Sequence, residues 1–207
     1  MQQIKEKKSP FLTATILVFL SGLILIGCSL IIGKIPFFLL LNTNLGTAAD
    51  YFFRFWTYTG DGSIWVPVAL LVLLFRKNKW ILLFSAIIIS TVLTQVTKNF
   101  IFPGEPRPTA AITDSNLIHT VAGVELHKVN SFPSGHTATA FCIFLIAALL
   151  IKKSWVTPVG FILALLTGYS RIYLAQHFPL DVGAGMMVAL ISVFLSVLIQ
   201  QKWGRQS

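Results

Sequence analysis

A chain of 207 residues with 55% hydrophobic and only 11% charged residues is not composed like a soluble domain, which carries roughly 25% charged residues. A mean hydropathy of +0.79 points instead to an integral membrane protein, and the length to a single domain over residues 1–207. The net charge of +9 is spread over helix ends rather than gathered in one patch, so no nucleic acid partner is expected.

A membrane-spanning helix needs roughly 20 apolar residues, with a range of about 17–25. Phe11–Ile32 meets this length. Leu25-Ile26-Gly27-Cys28 resembles a lipoprotein cleavage box, but the apolar run continues past Cys28 to Ile32, as an ordinary first helix does. Gly33–Asp61 is broken by Asn42, Thr43, Asn44 and Gly46. It reads as a short interfacial or re-entrant segment, with Phe52, Phe53, Phe55, Trp56 and Tyr58 at headgroup level. Gly62–Phe75 is shorter and spans only if Arg76 snorkels. Trp80–Ile101, His136–Ile151, Trp155–Tyr173 and Asp181–Gln200 complete the set. The predicted fold is all-α, a six-transmembrane-helix bundle. Its one long loop, Phe102–Pro133, is expected to form a lid or a substrate-facing wall. Cys28 and Cys142 both lie in apolar runs and read as packing residues rather than a disulfide.

The basic residues set an orientation. Lys5, Lys7, Lys8, Arg76, Lys77, Lys79, Lys152, Lys153, Lys202 and Arg205 fall at one set of helix ends, 10 of the 16 basic residues. The positive-inside rule makes those ends and both termini cytoplasmic. The opposite ends hold Lys34, Arg54, Lys98, Arg107, Lys128 and Arg171, all four histidines and every acid but Glu6. A cell (inner) membrane location follows, with the reactive groups on the extracytoplasmic side.

Three clusters at those outer ends carry the chemistry. They are Lys98 with Arg107-Pro108, then Ser131-Phe132-Pro133-Ser134-Gly135-His136, then Ser170-Arg171 with His177 and Asp181. Charge in or beside a bilayer is costly and usually functional. Phosphate recognition uses Arg forks, Lys point charges and backbone N–H groups at a helix start. Ser134 is placed to cap the apolar run that follows it, and Gly135 lets its backbone approach an oxyanion. His177 and Asp181 are four residues apart, with Pro179 in the first turn of the last helix. A carboxylate there fixes the imidazole tautomer and leaves the other ring nitrogen as a nucleophile. His119, His127, Glu125 and Asp114 read as ordinary polar loop residues.

These clusters resemble the motifs of the type 2 phosphatidic acid phosphatase family, which shares its site with vanadium haloperoxidases. Pro133-Ser134-Gly135-His136 matches the second motif. Ser170-Arg171, five residues, His177, three residues and Asp181 match the third without a break. The first motif departs, because eight residues rather than six separate Lys98 from Arg107, and Glu105 stands at the family spacing. The expected reading is a connection two residues longer, with Arg107 in the Arg role. The resemblance implies that Lys98, Arg107, Arg171, Ser134 and the Gly135 N–H hold phosphate. It implies that His177 attacks phosphorus to form a phosphohistidine, and that His136 protonates the leaving oxygen and later activates water. Asp181 orients His177. No metal and no cofactor are implied.

The implied function is a lipid phosphatase acting on a phosphomonoester or diphosphate, such as phosphatidic acid, phosphatidylglycerol phosphate, an isoprenyl diphosphate or a lipid A phosphate. A phosphotransferase to a second lipid would use the same residues and stays open. A transporter would more often place its charges at mid-membrane, whereas these gather at one face. Vanadate-dependent oxidation fits the anion site but not its membrane setting. The partners expected are a lipid phosphate and the bilayer, and the sequence leaves the oligomeric state open.

Overall fold

The computed structural model describes residues 9–203. Lys5, Glu6, Lys7, Lys8 and Arg205 of the charge pattern lie outside the described residues. Within them the fold is all-helical. The helices are α1 Pro10–Ile32, α2 Lys34–Leu41, α3 Thr47–Trp56, α4 Trp65–Phe75, α5 Trp80–Val96, α6 Pro108–Ala111, α7 Gly135–Ile151, α8 Val156–Tyr173 and α9 Pro179–Trp203.

Each of the six predicted spans contains a helix, but they are not equal. Pro10–Ile32, Lys77–Ile101, Val156–Tyr173 and Pro179–Trp203 are each long and apolar enough to cross a membrane alone. Thr47–Gly60 and Gly62–Phe75 form a pair bent by 57° that counts as one broken span or as a re-entrant loop. Gly135–Ile151 is apolar but has 17 residues, about 25 Å of helix against a hydrocarbon core of ~30 Å. The all-helical membrane bundle is thus as expected, and the count of six spans is not confirmed exactly. The apolar run from Phe11 passes Cys28 without a break in α1, and Cys28 and Cys142 are free thiols.

α9 is the central helix and packs against α1, α5 and α7. Half of its span is buried, against 17% for α1, so α1 turns most of its apolar surface outward. Leu23, Ile24, Leu30 and Ile31 are all exposed there, as a lipid-facing helix requires. Lipid is as apolar as leucine, so hydrophobicity alone does not pull such helices together, and close approach at small residues does. Gly22 and Gly183 face each other where α1 crosses α9. A Cβ on Gly183 would lie 2.9 Å from the Gly22 carbonyl oxygen. A Cβ on Gly185 would lie 2.6 Å from the Ser134 carbonyl oxygen and 2.9 Å from Thr137 Cβ.

That second contact matters for function because it sets α9 against the first turn of α7, where the second and third motifs meet. A methyl at Gly185 must separate the two helices, and overpacking of this kind costs ~1–3 kcal/mol. Gly185→Ala is therefore expected to lower both thermal stability in detergent and turnover. Gly27→Ala, whose Cβ would meet nothing within 4 Å, serves as the control and should change neither.

Candidate active site

The site lies at one end of the bundle, in a cavity of about 350 Å³ lined by Lys98, Arg107, Gly135, His136, Arg171 and His177 among others. Six of the eight expected site residues thus share one cavity. The remaining two, Ser134 and Asp181, stand behind it as buried supports.

The third motif turns on Asp181 in the first turn of α9. Its Oδ2 accepts the Ser131 hydroxyl at 2.5 Å and the Phe178 N–H at 2.9 Å, and it faces His177 Nδ1 at 3.3 Å. The Nδ1 edge of His177 is thereby turned toward the carboxylate, and Nε2 is left for the cavity. Burial, then the charges of Arg107, Arg171 and Lys98, push the His177 pKa well below its ordinary value. A neutral imidazole with an unshared pair on Nε2 is the form a nucleophile needs.

The second motif is joined to the third through the backbone. Ser134 N–H donates to the Asp181 carbonyl oxygen at 3.0 Å. The Ser134 hydroxyl caps α7, accepting from the Thr137 hydroxyl at 2.9 Å and from its N–H at 3.4 Å. Its own O–H remains to donate. Gly135 and His136 follow in the first turn, so the positive end of the α7 dipole points at the cavity.

The first motif reaches the cavity by a widened turn. After Val96 the helix opens to i→i+5 bonding, with Phe102 N–H on the Thr97 oxygen at 2.8 Å. Such wide turns recur at functional sites, and this one carries Lys98. Gly104 then takes φ +73° and lets the chain reverse. Arg107 N–H bonds the Lys128 oxygen at 2.9 Å, and Ser131 N–H bonds the Glu105 oxygen at 3.0 Å. These two bonds close the base of the Phe102–Pro133 loop, which forms a wall of the cavity through Arg107 and His127. Glu105 points away and pairs with Lys34 at 2.6 Å. The two extra residues are absorbed before Arg107, as the spacing predicts.

Three supporting residues carry no family motif. Gln176 fixes Arg107, whose Nη1 donates to the Gln176 backbone oxygen and to Oε1, both at 3.1 Å, while Nε donates to the Val129 oxygen at 3.0 Å. Thr57, in the single turn Thr57–Gly60 after α3, accepts from Arg171 Nη1 at 2.5 Å. Arg171 Nε is buried and has no partner among the described residues, so one donor of this guanidinium is left over beside the cavity. Ser131 lies in the second cluster, and only the fold shows that it serves Asp181. Of the loop residues read as ordinary, Asp114 accepts the N–H of Asn116 in a loop turn, and His119 bonds Asp50 at 2.9 Å. His127 departs from that reading, because it lies at the cavity edge with its side chain 55% exposed. Among the described residues no group of three or more His, Cys, Asp or Glu side chains is placed to hold a metal ion.

Residues 79–205 match the family model of the PAP2 superfamily. The chain belongs to the PAP2 superfamily. It is 31% identical over 170 residues to an undecaprenyl-diphosphatase of Sulfolobus acidocaldarius, covering 81% of this chain and 78% of that one. It is 28% identical over 153 residues to phosphatidylglycerophosphatase B of Bacillus subtilis, covering 67% and 69%. The crystal structure of Aquifex aeolicus LpxE superposes with a TM-score of 0.68 at 35% identity, over 78% of this chain and 92% of that one. This PAP2 protein is thus an integral membrane hydrolase of the phosphatase class.

The geometry ranks the two candidates of the first motif. Arg107→Ala removes a buried, triply anchored cation from the cavity and is expected to lower kcat/KM on the order of 10²–10³. Glu105→Ala breaks only a partly exposed ion pair, worth about 0–1 kcal/mol, and should leave turnover near wild type. Phosphate release by the two purified variants checks this, and the reverse ranking would displace Arg107 from the site. Thr57→Val should lower the rate about tenfold, because a hydrogen bond to a charged group is worth ~1.5–3 kcal/mol.

Proposed function

We propose that this protein removes phosphate from a lipid phosphomonoester or diphosphate at the extracytoplasmic face of a cell membrane, through a phosphohistidine on His177. The observation that carries the proposal is the convergence of two histidines and three fixed cations, Lys98, Arg107 and Arg171, on one cavity at the end of an apolar bundle. Soluble phosphate esters do not need a site built into membrane helices, and a lipid headgroup does. The relatives named for undecaprenyl diphosphate and phosphatidylglycerophosphate support the same substrate class.

The phosphate oxygens bind Lys98, Arg107 and Arg171 and the Gly135 N–H, while Ser134, expected from the sequence to join them, lies behind the cavity and holds the start of α7. His177 Nε2 attacks phosphorus in line, and the phosphorus–oxygen bond to the lipid breaks. His136 gives its proton to the departing oxygen. Water then attacks the phosphohistidine while His136 takes the proton, and inorganic phosphate leaves as the N–P bond breaks. The three cations stabilise the charge on the equatorial oxygens in both transition states. The extracytoplasmic assignment rests on the positive-inside rule: the turns bearing Arg76–Lys79 and Lys152-Lys153 lie at the end of the bundle opposite this cavity.

The division of labour gives the test. His177→Ala should abolish turnover of every substrate. His136→Ala should spare diphosphates relative to monoesters, because a good leaving group needs little protonation. Labelled phosphate should be trapped on the His136→Ala protein and not on His177→Ala, and equal trapping on both would place the nucleophile elsewhere. Activity should persist in excess chelator and fall with orthovanadate.

The pH profile follows from the depressed His177 pKa. The nucleophile is competent above its folded pKa, so the acid limb of kcat/KM should lie below the ordinary histidine value of about 6.5. A limb at or above that value would mean that burial and the three cations do not act on the attacking group.

A further inference from the structure

A second cavity, of about 470 Å³, opens at the opposite end of the bundle. α5 connects the two ends. Lys79, at its start, lines this cavity, and the widened turn bearing Lys98, past its end, lines the catalytic one. The 17 residues of α5 separate them by roughly 25 Å. The new cavity sits between the α4–α5 turn and the ends of α7 and α9. Arg76, Lys79 and Lys152 line it, and among the described residues no acidic one does. Its apolar wall comes from Leu82, Leu149, Leu150 and Val197.

The wall is held in place. Gln200 is buried, its Oε1 accepts the Leu82 N–H at 3.0 Å, and its Nε2 donates to the Asn78 oxygen at 3.2 Å. These bonds tie α9 to the start of α5. Lys152 closes α7 in the left-handed conformation, φ 58°. None of Arg76, Lys79 and Lys152 has an acidic partner within salt-bridge distance among the described residues. Helix-end dipoles and the positive-inside rule account for cations at this end of the bundle. Neither accounts for three of them around a concave apolar wall.

We propose that this cavity is a binding site for an anionic phospholipid of the leaflet opposite the catalytic site. The phosphate would sit among Arg76, Lys79 and Lys152, and the first methylenes of an acyl chain would lie on Leu82, Leu149, Leu150 and Val197. The volume lies within the range of about 300–1,000 Å³ typical of ligand pockets. Basic pockets between membrane helices are a recurrent way of holding acidic headgroups. The site does not depend on the catalytic assignment, since it shares no residue with it.

The test compares two variants of equal charge loss. One is Arg76→Gln with Lys79→Gln and Lys152→Gln, which empties the cavity of cations. The other is Lys77→Gln with Lys153→Gln and Lys202→Gln, residues of the same end that do not line it. Native mass spectrometry in neutral detergent follows the binding of dioleoyl-phosphatidylglycerol and of dioleoyl-phosphatidylcholine. The wild-type protein is expected to take up phosphatidylglycerol saturably and in preference to phosphatidylcholine. The cavity variant should lose that binding on the order of tenfold or more, and the control variant should keep it. Leu150→Trp fills the cavity with its charges intact and should also lose the lipid, which covers the case of a misfolded triple variant. Arg171→Gln should retain it, which separates this site from lipid held at the catalytic cavity. Equal loss in both triple variants would show diffuse surface charge and overturn the proposal. So would equal uptake of the two lipids, displacement by inorganic phosphate alone, or loss of uptake in Arg171→Gln.

Discussion

One carboxylate oxygen, Asp181 Oδ2, joins the fold to the chemistry. A buried carboxylate is tolerated only when donors surround it, and this one takes the Ser131 hydroxyl and the Phe178 N–H while facing His177 Nδ1. Its place in the first turn of α9 adds the favourable end of the helix dipole. The same residue's carbonyl oxygen receives the Ser134 N–H. Through these contacts the loop before α7, the cap of α7 and the loop bearing His177 become one unit. α9 is also the helix against which α1, α5 and α7 pack. A displacement of Asp181 would therefore move His177, the Ser134–His136 turn and the centre of the bundle together.

The packing that permits this is made of small residues. Gly183 brings α9 against α1, and Gly185 brings it against the Ser134 carbonyl. Hydrophobic burial cannot choose between lipid and a neighbouring helix, so shape decides. Polar side chains of α9 drawn inward are partnered within the protein: Ser192 and Ser196 bond carbonyls of their own helix, and Gln200 bonds α5.

Much of the site was legible because its residues lie in short, regularly spaced clusters. Pro133-Ser134-Gly135-His136 and the Arg171, His177 and Asp181 series each sit at a helix start or end. Helical geometry then places them together once the two intervening helices return the chain to the same face. The displaced Arg107 was legible too, since Pro106, Pro108 and Gly104 mark a turn that can absorb two residues. The supports were not legible. Thr57 and Gln176 reach Arg171 and Arg107 across long sequence separations, and nothing in their local sequence distinguishes them from other polar residues. The count of six spans is not confirmed exactly, for a related reason. Periodicity measures apolar length, but the 57° bend of Thr47–Phe75 is set by what the segment must touch.

The polar residues that lead into and through that bend, from Asn42 to Gly60, show how a break in an apolar pattern can be a requirement of the fold. α8 ends at Tyr173, where the following turn gives backbone N–H groups to the Ser170, Arg171 and Ile172 oxygens and leaves the Tyr173 oxygen to be met from elsewhere. Asn42, one of the residues that interrupts the sequence as a span, donates its Nδ2 to the Ile172 and Tyr173 oxygens, each at 3.0 Å. Its Oδ1 accepts the His119 N–H at 2.8 Å. Asp50 accepts the Tyr173 hydroxyl at 2.5 Å and pairs with His119. Thr57 then takes the Arg171 guanidinium, and Gly60 lies so close to His136 that a Cβ there would meet its carbonyl oxygen at 2.7 Å. An uninterrupted apolar helix through residues 33–61 would leave the α8 carbonyls and Arg171 without these partners. The polar interruptions that stop this stretch from reading as a span are the groups that let a charged helix end remain buried beside His177.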